Sequence, residues 1–237
     1  MFSKVILEKA CGRKKRVAVV RGVEHVAPEE QFRALQEEME QTVEKGSVVF
    51  YEGVSSAPHI PVPTKNGRRL EIFFGQMIIK GYKAMAAKKG LVVQNNTLRF
   101  TELHAVKADM TLQEFVNFLD KEGVRCSRLL CWMFELAFKL EGAPRWVSFF
   151  DKMSGELLGR AVGRYIKRSC AVIFKQAEPI LYGRRNEIIF AQVKELGGKN
   201  DLYLVYGNKH IPGIVKLFEE DGWGVVNIKD SPLSVFS

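Results

Sequence analysis

Short apolar runs alternate along the chain with longer segments whose apolar residues recur every three or four positions. Residues 15–20 and 48–51 are predicted strands, and residues 28–44 between them have the spacing of an amphipathic helix. Pro28 and the two glutamates after it suit the first turn of that helix. Alternation of this kind is typical of α/β folds, in which helices connect the strands of a largely parallel sheet.

The same alternation returns near the C-terminus. Residues 187–196 are a predicted helix that ends at two glycines, and residues 202–206 are a predicted strand. A helix over residues 214–220 and a strand over residues 225–228 then complete a βαβ unit.

The middle of the chain has helical periodicity and almost no strand signal. Thr111 and Glu114 have the spacing of a capping box, and residues 129–140 are apolar nearly all round, as in a buried helix. Residues 157–168 form a basic helix candidate. This pattern predicts a helical layer inserted into the sheet-forming sequence at about residues 111–170.

A further helix is predicted over residues 70–89, stopping at Gly90 ahead of a strand-like run at 91–94. We therefore predict a single domain over residues 1–237. Its expected class is α/β, with a mainly parallel central sheet, flanking helices and the inserted helical layer.

The chain has a net charge of +9, from 36 Lys and Arg against 27 Asp and Glu, which favours acidic partners. Its basic clusters, such as residues 13–16 and 164–168, are accompanied by no recognised nucleic-acid motif. The pattern therefore favours solvated basic faces over a nucleic-acid surface. The four cysteines form no Cys-x-x-Cys pair, which indicates reduced thiols.

The N-terminus has only three consecutive apolar residues, Val5 to Leu7, which is too short for a secretory signal. The longest apolar stretch, residues 129–140, is interrupted by charges and falls short of the roughly 20 residues that cross a bilayer. These observations predict a cytoplasmic protein with no membrane span.

Two of the four histidines lie in the same motif, Gly-x-x-His, at residues 22–25 and 207–210. Each motif follows a predicted strand, and Pro28 or Pro212 then opens a predicted helix. In open α/β sheets, ligands bind beyond the carboxyl ends of the strands. We therefore expect His25 and His210 to lie at one edge of the sheet.

A carboxylate and a guanidinium are predicted at the same edge. Glu52 directly follows the strand at 48–51, and the helix that starts near Asn186 should begin there, with Arg184 and Arg185 beside it. Either arginine can face the site on this pattern. We predict that two imidazoles, one carboxylate and one guanidinium converge.

Two histidines and one glutamate match the ligand set of catalytic zinc, which activates water, and an arginine can offset the charge of a tetrahedral intermediate. His25, Glu52 and His210 are thus candidate metal ligands for a divalent ion, with zinc, manganese and cobalt left open. A metal-free alternative has His25 as general base and Glu52 orienting it or its water.

Three other residues are weaker candidates. Asp109 and His104 lie between a strand and the capped helix, where Asp109 is predicted to be a turn residue and His104 an ordinary core or surface histidine. His59 lies in a loop between prolines and is predicted to be exposed.

The two Gly-x-x-His motifs with a glutamate and an arginine between them resemble the TraB/PrgY/GumN family and its relatives, the Tiki proteases. The resemblance covers roughly residues 15–53 and 184–228, including the Arg185-Asn186 pair and the stretch from Tyr206 to Gly213. It implies a sheet with a helical insertion. In the Tiki branch it implies a metal-dependent peptidase, and more distant relatives include esterase-like hydrolases and haem-binding proteins.

Carried over by position, His25, Glu52, Arg185 and His210 take the signature places. The resemblance implies a hydrolase acting on a peptide or an ester with a divalent metal ion. The alternative is a non-enzymatic protein that binds haem or a peptide in the same cleft.

Overall fold

The first two strands form an antiparallel hairpin, β1 (Lys4–Cys11) and β2 (Lys14–Val23), joined at Gly12, whose φ of 64° suits a residue without a side chain. The sequence predicted β2 but missed β1. In β1 the alternation of buried and partly exposed residues is short, since Val5 and Leu7 are buried and charged residues follow them. One of its two neighbours in the sheet, the strand Gly224–Lys229, is far away in sequence, so this pairing leaves no local signal.

The computed structural model describes residues 3–53, 57, 59–139 and 157–229. The chain divides into two compact units, a sheet unit (Met1–Val54, Gly90–Met110 and Leu181–Ser237) and a helical unit (Ser55–Lys89 and Thr111–Ile180). The remaining strands are β3 (Val26–Ala27), β4 (Val48–Tyr51), β5 (Val92–Val93), β6 (Val106–Lys107), β7 (Leu202–Gly207) and β8 (Gly224–Lys229). The helices are α1 (Glu29–Glu44), α2 (Lys65–Lys89), α3 (Gln94–Thr97), α4 (Leu112–Lys121), α5 (Arg128–Lys139), α6 (Leu157–Pro179), α7 (Arg185–Leu196) and α8 (Ile211–Glu220).

The main sheet has six strands in the order β6-β4-β7-β2-β1-β8. Four neighbours, β6, β4, β7 and β2, run parallel, and β1 is antiparallel to both of its neighbours. The predicted α/β class with a mainly parallel sheet is therefore confirmed, although the sheet is mixed. The strands of the predicted βαβ unit, β7 and β8, are separated by β2 and β1.

Helices cover both faces of this sheet. Alternate residues of β7 point to opposite sides, so Leu202, Leu204 and Tyr206 pack with α7 and α8, whereas Tyr203 and Val205 pack with α1. All six residues of β7 are buried, as expected for a central parallel strand. The core thus holds β7, β2 and β4 in fixed register, which positions the residues at their carboxyl ends.

The helical unit contains α2, α4, α5 and α6. The predicted capping box is present: Thr111 and Glu114 bond each other's backbone N–H groups at the start of α4. The basic helix predicted at 157–168 extends to Pro179. Residue 140, the predicted end of α5, lies outside the described residues. Within the described part of the chain, no helix is long and apolar enough to cross a bilayer.

Candidate functional site

The carboxyl ends of three adjacent strands carry the predicted residues. His25 follows β2, Glu52 follows β4, and His210 ends the short 3-10 turn after β7. The Glu52 N–H still donates to the Val205 carbonyl at 3.0 Å, so the residue continues the strand ladder into the site. The three residues therefore lie at one edge because the parallel register places these strand ends side by side.

The side chains of these residues converge. Glu52 Oε1 lies 3.7 Å from His210 Nε2 and 3.9 Å from His25 Nε2. The His210 and Glu52 side chains are 5% and 7% exposed, whereas the His25 side chain is 32% exposed. His25 is thus the member of this group that solvent reaches best.

Gly207, the glycine of the second motif, borders the same space. A Cβ at this position would lie 3.0 Å from Glu52 Oε2, 3.5 Å from His25 Nε2 and 3.7 Å from His210 Cδ2. The Gly207 N–H also donates to Glu52 Oε2 at 2.6 Å. A side chain at this position would crowd Glu52 and the two imidazoles, which gives a physical reason for the glycine in this motif.

Arg185, the first residue of α7, is the arginine that faces the site. Its Nη2 donates to Glu52 Oε1 at 2.9 Å, and its Nε and Nη2 donate to the two oxygens of Asp109 at 2.8 and 2.5 Å. Its Nη1 lies 3.4 Å from His210 Nε2. Arg184, by contrast, is exposed and pairs with Glu187.

Asp109 belongs to the site, which corrects the prediction that it is only a turn residue. Its side chain is fully buried, and besides Arg185 it accepts hydrogen bonds from the backbone N–H groups of Gly53 and Met110. It follows the two-residue strand β6 at the same sheet edge, a strand too short for the sequence pattern to reveal. His104 and His59 are exposed.

A side-chain amide anchors each imidazole through Nδ1. His210 Nδ1 lies 2.6 Å from Asn186 Oδ1, and the Asn186 amide nitrogen donates to the Tyr182 carbonyl at 2.7 Å, which fixes the direction of the amide. The proton of neutral His210 is therefore on Nδ1, and its Nε2 accepts. His25 Nδ1 lies 3.1 Å from the side-chain oxygen of Gln94. Sequence reasoning missed both anchoring roles.

The surroundings set the charge states. Burial alone would raise the pKa of Glu52, but Arg185, the two imidazoles and the Gly207 N–H lower it to about 2. Burial lowers the pKa of His210 to about 4, against the attraction of Glu52 and with help from Arg185. At neutral pH the site therefore contains an ionised carboxylate beside a neutral imidazole.

The donor atoms are those of a catalytic metal site, but their arrangement does not fit a metal ion. The Arg185 guanidinium already donates to Glu52 Oε1 and contacts His210 Nε2, two of the three atoms that would bind the ion. Among the described residues, no group of three or more His, Cys, Asp or Glu side chains is placed to hold a metal. An ion would have to displace the guanidinium.

Comparison of the chain with protein-family models, with curated proteins and with solved structures gives no match. The resemblance to the TraB/PrgY/GumN family therefore stays a prediction that depends on the two motifs, Glu52 and Arg185.

Proposed function

We propose that the protein is a hydrolase whose catalytic centre is formed by His25, Glu52, Arg185 and His210. One observation carries the proposal: the Nε2 atoms of two imidazoles lie within 3.9 Å of a single carboxylate oxygen at the carboxyl edge of the sheet. Ligands of open α/β sheets bind at this edge.

His25 is the general base in this proposal. Its Nε2 faces Glu52 Oε1 across 3.9 Å, and a water oxygen about 2.8 Å from both atoms fits that separation. The imidazole takes a proton from this water as the oxygen attacks the substrate carbonyl, and the anionic Glu52 stabilises the imidazolium that forms. When the tetrahedral intermediate collapses, the bond from its carbon to the leaving nitrogen or oxygen breaks, and the imidazolium gives its proton to the leaving amine or alcohol, which restores neutral His25.

Arg185 and His210 hold the rest of the centre in place. Glu52 and Asp109 fix the Arg185 guanidinium, and the guanidinium in turn keeps Glu52 ionised. The positive charge of Arg185 also stabilises the negative charge that develops on the substrate. His210 stays neutral at physiological pH because it is buried, so its Nε2 remains an acceptor beside the same space.

The substrate class, a peptide or an ester, and the use of a divalent metal ion are both inferred from the family resemblance. The metal-free chemistry above uses only groups that the site contains. Elemental analysis of the purified protein tests the expectation of zinc, manganese or cobalt.

The proposal is tested with the purified full chain on a panel of aryl esters and fluorogenic peptides, with and without added divalent ions. His25→Ala and Glu52→Gln should each lower the hydrolysis rate by about a hundredfold or more while circular dichroism shows a folded protein. His104→Ala, which removes an exposed histidine outside the cluster, should leave the rate unchanged. Equal rates for the wild type and His25→Ala would refute the catalytic role.

A second candidate is a non-enzymatic binding protein, for haem or a peptide. It is favoured by the pairing of Arg185 with Glu52 and Asp109 inside the site, which leaves His25 as the group most accessible to a ligand. Native mass spectrometry distinguishes the two, because a retained ligand that His25→Ala releases, without turnover of any panel substrate, supports the binding protein.

A further inference from the structure

The positive charge of the protein is concentrated in one of its two units. The helical unit contains 18 Lys and Arg residues against 9 Asp and Glu, whereas the sheet unit contains 18 of each. These numbers account for all 36 basic and 27 acidic residues of the chain. The whole net charge of +9 therefore belongs to the helical unit.

The same unit exposes large apolar side chains. On α5, Leu129 and Trp132 are 52% and 57% exposed, and their spacing of three residues places them on one side of the helix. Arg128, also exposed, lies one turn from Trp132 on the same helix. A basic residue thus borders an exposed aromatic and an exposed aliphatic side chain.

Helix α6 repeats this combination. Arg164, Arg168, Val172 and Lys175 are exposed and follow one another at spacings of three or four residues, so they form one stripe, with Val172 54% exposed. A hydrogen bond of 2.8 Å between Ser127 Oγ and the Tyr165 hydroxyl joins the start of α5 to α6. The start of α5, with Arg128 and Leu129, therefore lies beside the part of α6 that carries Arg164 and Arg168.

We propose that α5 and α6 form a docking surface for a lipid bilayer that contains anionic phospholipids. Lys and Arg side chains attract the anionic headgroups, while Trp, Leu and Val side chains enter the boundary between headgroups and acyl chains. The mode of attachment is peripheral. A nucleic acid would use the positive charge equally and could stack a base on Trp132, but the exposed aliphatic side chains of Leu129 and Val172 offer no stacking surface and favour the bilayer.

The test is co-sedimentation of the full chain with vesicles of phosphatidylcholine that contain about a third phosphatidylserine, an anionic fraction that attracts basic segments. Binding at low NaCl should be at least tenfold stronger than to pure phosphatidylcholine and should fall at high NaCl. The variant Arg164→Gln, Arg168→Gln, Lys175→Gln, which removes the three basic residues of the stripe, should weaken binding about tenfold, and so should Leu129→Ser with Trp132→Ser.

The matched control removes three basic residues from the sheet unit, with Arg13→Gln, Lys14→Gln and Lys15→Gln, and should bind almost as well as the wild type. Thermal unfolding by circular dichroism shows that each variant is folded. Absence of binding to anionic vesicles overturns the proposal, and so does an equal loss in the control. Binding of an oligonucleotide without vesicle binding overturns it in favour of a nucleic-acid surface.

Discussion

Asn186 and His210 are joined side chain to side chain, with the imidazole Nδ1–H donating to the amide oxygen at 2.6 Å. Gly213 packs against this amide, and only the absence of a side chain at position 213 leaves room for it. A Cβ there would lie 2.2 Å from the side-chain nitrogen of Asn186. The imidazole is thereby held with Nε2 towards Glu52. The geometry of the proposed catalytic centre thus depends on a glycine three residues beyond the histidine.

Gly213→Ala should displace the Asn186 amide and release the His210 ring. We expect a loss of about 1–3 kcal/mol in the free energy of unfolding, because the added methyl overpacks a bonded amide. Urea unfolding measures this loss, and long-range ¹H–¹⁵N spectra report whether the His210 proton stays on Nδ1. The control is Gly183→Ala, where no atom lies within 4 Å of an added Cβ. A similar cost in both variants would contradict the explanation.

Gly207→Ala should damage the site more than the fold. The new methyl would lie between Glu52 and the two imidazoles, in the space proposed for the attacking water. We expect the hydrolysis rate of any panel substrate to fall by about tenfold or more, since small displacements of reacting groups have large effects on rate. Gly224→Ala, in strand β8 with only one contact at 3.9 Å, should retain full activity.

Asp109→Asn should destabilise the protein strongly. The substitution keeps the shape but removes a buried charge that faces Arg185 with both oxygens, at a cost of about 2–4 kcal/mol. Urea unfolding compares it with Asp221→Asn, which breaks the partly exposed pairs with Lys9 and Lys194 and should cost about 1 kcal/mol or less. A smaller loss for Asp109→Asn than for this surface variant would show that the Asp109–Arg185 pair contributes little to stability.

The strand pattern predicted the edge position of His25, Glu52 and His210, because parallel strands must align their carboxyl ends. It could not show whether Arg184 or Arg185 faces the site, since the direction of each side chain depends on how α7 is rotated about its own axis against the sheet. Asp109 was assigned to a turn because β6 has only two residues and pairs with β4, far away in sequence. Short strands of this kind form only through tertiary pairing.

The anchoring amides were missed for a related reason. Gln94 starts the four-residue helix α3, directly after β5, which pairs with β3 in a separate two-stranded sheet. Its backbone N–H donates to the His25 carbonyl at 2.9 Å. The strand-like run at 91–94 had predicted a strand at this residue. A contact between residues 69 positions apart leaves no local signal, so only the folded chain shows which amide anchors which imidazole.

The pKa of His210 predicts how stability responds to acid. It is lowered from 6.5 to about 4 by burial, so between these values the unfolded chain binds a proton that the folded chain does not. Stability should therefore fall as the pH drops through this window, by about 1.4 kcal/mol per pH unit. Below pH 4.5 the lowered pKa of Glu52 adds a further loss, since its carboxylate is protonated more easily in the unfolded chain. Urea unfolding at pH 7, 6 and 5 measures the slope, which should be shallower in His210→Gln and unchanged in His104→Gln. If His210→Gln and the wild type lose stability in parallel, His210 is not the group that is held neutral.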